Sequence, residues 1–251
     1  MTNIILRGCN GQMGQVITQM VEEDESARIV AGIDITTERM SSYPVYSSFA
    51  LCNEKADVII DFSSPANIDG MLKYAKANKI GIVLCTTGFT AEEEKLINET
   101  SNVIPILKSA NMSLGINLLL KLVKEAAKVL SDAGFDMEIV EKHHNKKIDA
   151  PSGTAFALAD AMNEALDHEY DYQYDRSKIR EPRGEKEIGI SAVRGGNIVG
   201  EHEVIFAGTD EVIEIKHTAY SKAIFAKGAI QAAKYLPGKS AGMYQMSDVI
   251  G

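Results

Sequence analysis

Basic charge is in short supply in this sequence. Its 26 Lys and Arg face 35 Asp and Glu, which leaves a net charge of -9 and a pI near 5.1. Such a chain has no surplus of cations with which to coat nucleic acid or an acidic membrane, so an anionic ligand would need a local basic pocket. Cysteine is scarce too. Cys9, Cys52 and Cys85 are an odd number at wide spacing, which fits neither a disulfide framework nor a zinc site and points to a reducing compartment. No run of about 18 apolar residues exists to span a bilayer. The opening "MTNIILRGCNG" runs straight into a strand-like segment, unlike a signal peptide, and we expect a cytoplasmic protein. Repeats and low-complexity tracts are absent as well. What remains is a chain of 251 residues, 45% hydrophobic and 24% charged, the profile of a globular enzyme-sized protein with one large domain or two small ones.

Short apolar runs alternate with single helical segments over the first ~110 residues. "NIILRG" leads into Met13, Val16, Ile17, Met20 and Val21 at helical spacing. "ADVIIDFSS", "IGIVLCTTG" and "NVIPILKSAN" then repeat the theme around "PANIDGMLKYAKAN" and "TAEEEKLINETS". This grammar predicts a Rossmann-like, doubly wound parallel sheet with helices on both faces. After Asn111 it changes. "SLGINLLLKLVKEAAKVLSDAG" reads as a long amphipathic helix, "DMEIVEKHHN" as a strand and "TAFALADAMNEALDH" as a helix. Residues 169–187 read as a long polar loop. "EIGISAVRGG", "VGEHEVIFAG" and "DEVIEIKHTA" read as an antiparallel meander, hence an α+β domain with a mixed or antiparallel open sheet. The helical "KAIFAKGAIQAAKYL" is returned to the first domain. We therefore expect a dinucleotide-binding domain over 1–112 and 221–251, and a substrate-binding and oligomerisation domain over 113–220.

The glycines of "LRGCNGQMG" (Gly8, Gly11 and Gly14) lie between the first strand and the first helix. Pyrophosphate needs close backbone approach and free amides at a helix N-terminus, and glycines there permit both. Asp34 ends the second strand, where a carboxylate accepts hydrogen bonds from ribose hydroxyls and repels a 2'-phosphate. The next cation is Arg39, so NADH should bind at least as well as NADPH. The spacing is G-x-x-G-x-x-G, and a simple tight turn with a loop-capping aspartate is the competing reading.

"EKHHNKKIDAPSGTA", Glu141 to Ala155, is the most chemically loaded segment. If the strand continued, alternation would put His143 and Lys147 on one side and His144 and Lys146 on the other. The "PSGT" turn before a helix would offer amides and the hydroxyls of Ser152 and Thr154 to an anion. This is a carboxylate-binding, proton-donating arrangement, weighed against a solvated charged face. His202 and His217 lack companions spaced for zinc, and we assign no metal.

The chain resembles the 4-hydroxy-tetrahydrodipicolinate reductases (dihydrodipicolinate reductases) of lysine and diaminopimelate biosynthesis, over essentially its whole length. The central segment fits the pattern E-x-H-H-x-x-K-x-D-x-P-S-G-T-A, supported by "GCNGQMG", "DFSSP", "CTTGF", "SANMSLGIN" and "VRGGNIVGEHEVIF". The resemblance implies reduction of a cyclic imine dicarboxylate by NADH or NADPH in a homotetramer. It makes His143 the acid/base and Lys147 the second proton donor and carboxylate partner, with His144, Ser152, Gly153 and Thr154 contacting substrate. Cofactor contacts would come from Gly8, Cys9, Asn10, Gly11, Gln12, Met13, Asp34, Cys85, Thr86, Thr87, Ser109, Ala110, Asn111 and Met112. Two departures stand out: Cys85 where many members have Gly, and Ile35 where NADPH-using members often have a basic residue. Another NAD(P)-dependent oxidoreductase of the same two-domain plan, or a cofactor-binding regulator without turnover, are the alternatives.

Overall fold

Strands with an unbroken apolar run must be covered on both faces, and "IIL" of the first strand, "VII", "GIVL" and "PIL" are such runs. The computed structural model describes residues 1–38 and 41–251, and Arg39 lies outside them. Two units are present, Met1–Leu114 with Ala223–Gly251, and Gly115–Lys222. In chain order the first contains β1 (Thr2–Arg7), α1 (Gln12–Glu22), β2 (Ala27–Ile33), β3 (Val45–Tyr46), β4 (Val58–Asp61), α2 (Ile68–Asn78), β5 (Gly81–Leu84), α3 (Ala91–Ser101) and β6 (Pro105–Lys108). The second unit is built from α4 (Leu114–Leu130), β7 (Asp136–His143), α5 (Gly153–Ala165), β8 (Asp171–Gln173), β9 (Glu187–Arg194), β10 (Gly200–Ala207) and β11 (Val212–Ala219). The chain then returns to the first unit as α6 (Ala223–Tyr235), β12 (Gly242–Tyr244) and α7 (Met246–Ile250).

The first unit's sheet runs β12-β6-β5-β4-β1-β2-β3, every pair parallel. Period-two alternation divides its side chains between two cores. Ile4, Leu6, Val58, Ile60, Val83 and Leu107 pack with α1 and α6. Ile5, Ile59, Ile82, Leu84 and Ile106 pack with α2 and α3. Each such side chain contributes about 1.5–3 kcal/mol by leaving water. The small residues of α6 allow close approach, since a Cβ on Gly228 would stand 1.7 Å from the Met112 carbonyl oxygen. Helix α3 starts at a reciprocal cap: Thr90 Oγ1 accepts from the Glu93 amide (3.2 Å) and Glu93 Oε2 from the Thr90 amide (2.8 Å).

The second sheet runs β11-β10-β7-β9-β8. It is mixed, which corrects the meander expectation. Strands β10 and β11 do form an antiparallel hairpin, but β9 pairs parallel with β7, and β7 lies between β9 and β10. The crossover through α5 explains this, because a helix is the usual link between neighbouring parallel strands. One face buries Met137, Ile139, Ile188, Ile190, Val204 and Phe206 against α4 and α5. The expected 169–187 loop contains short edge strand β8 and is tied down by Arg183, which pairs with Asp136 (3.0 Å), Glu187 (3.3 Å) and Glu138.

Candidate functional site

The turn between β1 and α1 depends on its glycines. Gly8 has φ +80°, and a Cβ there would lie 2.4 Å from the Phe62 carbonyl oxygen; one on Gly14 would lie 2.2 Å from that of Gly8. Gly11 is the N-cap of α1, and no side chain caps that helix end. Asp34 braces the turn from the end of β2, accepting from the Asn10 amide at 3.0 Å and the Thr36 amide at 3.3 Å. Asn10 Nδ2 donates to the Thr36 carbonyl (2.7 Å) and Gln15 Nε2 to that of Cys9 (2.8 Å). Cys9 is fully buried, and burial, with the nearby Asp34 carboxylate, pushes its thiol up to about 11. Its side chain is therefore an inert packing group, and any contact with a ligand at this turn would come from its backbone.

Beside the turn lies a cavity of about 490 Å³ whose lining includes Gly8, Asn10, Gly11, Asp34, Ser63 and Arg7. The last was missed by sequence reasoning. Its guanidinium lies 3.1 Å from fully buried Asp61 and also donates to the Ala66 carbonyl. Ser63 Oγ donates to the other Asp61 oxygen at 2.5 Å, and the Ser63 amide donates to the buried Thr86 hydroxyl at 3.1 Å. Burial pushes the Asp61 carboxyl up, against the opposing pull of Arg7. Arg7 thus has its charge spent within the protein. Of the other expected contacts, Thr87 and Ala110 are exposed, Cys85, Ser109 and Asn111 half-buried, and Met112 buried in the core. The uncapped helix end, the close backbone turn and the carboxylate at the tip of β2 fit a dinucleotide.

In the second unit, β7 carries Met137, Ile139, Glu141 and His143 on its inward face, so the same row passes from hydrocarbon to ionic groups. Glu141 is wholly buried and saturated. Arg194 donates through Nη1 to Oε2 (2.7 Å) and through Nη2 to Oε1 (2.6 Å), the Ser152 amide donates to Oε1 (3.0 Å), and His143 Nδ1 lies 2.6 Å from Oε2. Burial alone would raise this carboxyl; the hydrogen bonds from Arg194, His143 and Ser152 overcome it and hold Glu141 below the usual range. Arg194 comes from β9, where it is the register partner of His143. Sequence spacing alone did not reveal which way it faces.

The other motif residues divide into two sets. Strand β7 ends at His143, so the strand alternation invoked for Lys147 does not apply; Lys147 sits in a turn, its amide donating to the His144 carbonyl at 3.1 Å. Lys147 Nζ lies 2.8 Å from Asp149, whose carboxylate is held below its usual range chiefly by Lys147. Ser152 caps α5, its Oγ accepting from the Ala155 amide (3.2 Å) and meeting His202 Nε2 (3.0 Å). That hydroxyl is therefore turned inward, while Gly153 is exposed and Thr154 and His144 are half-buried. His202, 5% exposed, stacks edge-on to His143 with ring centroids 5.1 Å apart, and burial lowers it to about 4. His217 is its cross-strand neighbour. Among the described residues no group of three or more His, Cys, Asp or Glu is arranged to hold a metal ion.

Family models described as dihydrodipicolinate reductase, N-terminus and C-terminus, match residues 2–112 and 115–250. The chain belongs to the dihydrodipicolinate reductase family. A 4-hydroxy-tetrahydrodipicolinate reductase of Clostridium novyi (strain NT) is 47% identical over 250 residues, 100% of this chain and 98% of the relative. Its counterpart from Caldanaerobacter subterraneus subsp. tengcongensis is 52% identical over the same coverage. A dipicolinate-bound dihydrodipicolinate reductase from Paenisporosarcina sp. TG-14 has a TM-score of 0.82 at 23% identity, covering 98% of this chain and 97% of that one. This last likeness is one of fold. Membership makes the chain an oxidoreductase of a dinucleotide-using family, with the Rossmann-like unit as the part built for NAD(P).

Proposed function

We propose that this dihydrodipicolinate reductase family member reduces 4-hydroxy-tetrahydrodipicolinate to tetrahydrodipicolinate in lysine and diaminopimelate biosynthesis, with NADH or NADPH as reductant. The observation that carries the reading is His143 held 2.6 Å from buried Glu141 in a chain matched by the family's models over both parts. The dinucleotide supplies the hydride. Gly8, Gly11 and the first amides of α1 would hold its pyrophosphate, and Asp34 the ribose hydroxyls. Hydride addition leaves an electron-rich enamine nitrogen or carbon on the ring, and His143 gives it a proton. Lys147 and the N-terminus of α5 bind a substrate carboxylate; Lys147 already pairs with the Asp149 carboxylate at 2.8 Å, a position that suits an anion.

NADH should serve at least as well as NADPH, because Asp34 repels a 2'-phosphate and Arg7, the one cation among the described residues lining that cavity, is already paired with Asp61. The protein is proposed to be cytoplasmic; no helix among the described residues is long and apolar enough to cross a membrane. We also propose a homotetramer assembled through the second unit. The test is NADH and NADPH oxidation, followed by absorbance, with substrate generated in situ by the preceding synthase from pyruvate and aspartate semialdehyde. Synthase-dependent oxidation, with NADH at least equal to NADPH, is the expected result. Cofactor binding without oxidation would remove the proposed reaction.

A further inference from the structure

We propose that Glu141, locked by Arg194 and the Ser152 amide, is the positioning residue that fixes His143 in a single tautomer, with Nδ1 protonated and Nε2 left as the atom that carries the transferable proton. This deepens the reading of His143 as proton donor and rests on it. A carboxylate that is ionised accepts hydrogen bonds only, and Glu141 is kept ionised by three separate donors around a wholly buried group. The 2.6 Å contact therefore requires the proton to sit on His143 Nδ1. The far nitrogen is close to the Gly200 backbone: a Cβ there would stand 3.1 Å from Nε2, so any side chain at this position would crowd that edge of the ring.

Arg194 also donates to the Asp149 carbonyl at 2.7 Å, and so ties the carboxylate to the turn that carries Lys147. Losing the Glu141 charge while Arg194 remains would leave a part-buried cation without its carboxylate beside the imidazole. The charged and titratable groups around the ring are Glu141 on β7, Arg194 on β9, His202 on β10, His217 on β11, and Lys147 with Asp149 in the turn. Of these Glu141 is the one in hydrogen-bond contact with it.

The experiment uses the full-length protein labelled with 15N-histidine. Its five histidines are assigned with single variants, and His143 is observed without substrate. The expected spectrum shows neutral His143 protonated at Nδ1. In Glu141→Gln the tautomer should move towards Nε2, kcat should fall roughly 100-fold or more, and the alkaline limb of its pH profile should move down, because the imidazolium has lost its anion. The KM for substrate and the Kd for NADH should stay within about twofold, and Glu141→Asp should recover part of kcat. If Glu141→Gln does not fold, the double variant Glu141→Gln, Arg194→Met removes the unpaired guanidinium and is read in the same way. A merely structural Glu141 would lower the active fraction and leave limb and tautomer unmoved, and that result overturns the proposal. So does an Nε2-protonated neutral His143 in the unsubstituted protein. An inactive protein with the Nδ1 tautomer would instead sink the proposed reaction and leave the clamp standing.

Discussion

Glu141 shows what a single residue can owe to its neighbours. On its own, a carboxylate buried in an apolar sheet would take up a proton; four hydrogen-bond contacts keep it charged and turn it into a fixed acceptor for His143. The role assigned to His143 makes a direct prediction. His143→Gln should lower kcat about 100-fold or more, the usual worth of general acid catalysis, with NADH affinity by fluorescence titration unchanged. Full activity would remove the role. His202 makes a second prediction, concerning stability. Its folded value of about 4 lies below the ordinary 6.5, so between those two pH values the unfolded chain binds more protons than the native one. Stability is therefore complete above the upper value and is lost as pH falls through the window, by at most about 3 kcal/mol. Replacing His202 by Gln keeps a polar partner for Ser152 and removes the titration. Denaturant unfolding at pH 7 and 4.5 should show a smaller acid loss, and an undiminished one would show that other groups carry it.

At the scale of elements, the strands of the first unit were legible because buried parallel strands leave an unbroken apolar signature, and the helices because their periodicity is strong. The glycine turn was legible for a different reason: few residues tolerate φ +80° against a neighbouring carbonyl. What failed was the extension of β7 past His143 and the pairing of β9. An alternating pattern reports which residues share a face; it is silent about where the ladder stops and which strand is the neighbour. Close packing provides the prediction here. Gly228→Ala would place a methyl group 1.7 Å from the Met112 carbonyl oxygen and force α6 and the segment carrying Met112 apart. We expect a loss of about 1–3 kcal/mol, read as a lower melting temperature together with weaker NADH binding. A variant that melts with the parent protein would show that α6 can shift at no cost.

For the whole molecule, the open sheet of the second unit ends in β11, whose Val212 is 57% exposed and Ile213 38% exposed. An apolar edge of that kind calls for a cover, which the proposed homotetramer would provide from a second copy. Placing charge there, as Val212→Glu with Ile213→Lys, should convert a tetramer seen by light scattering into smaller species; an unchanged mass would place the interface elsewhere. The sequence by itself determined the class of each unit, the glycine turn with Asp34, and the family, and it supplied His143 and Lys147 as candidate site residues. These rest on patterns within short contiguous segments of the chain. Only tertiary structure decided that Arg194 meets Glu141, that Arg7 spends its charge on Asp61, that Ser152 turns inward to His202, and that β7 lies between β9 and β10. Those partners stand 50 or more residues apart in the chain, or depend on which strands become neighbours, and such contacts are selected by burial and charge compensation in the folded protein rather than by any local period.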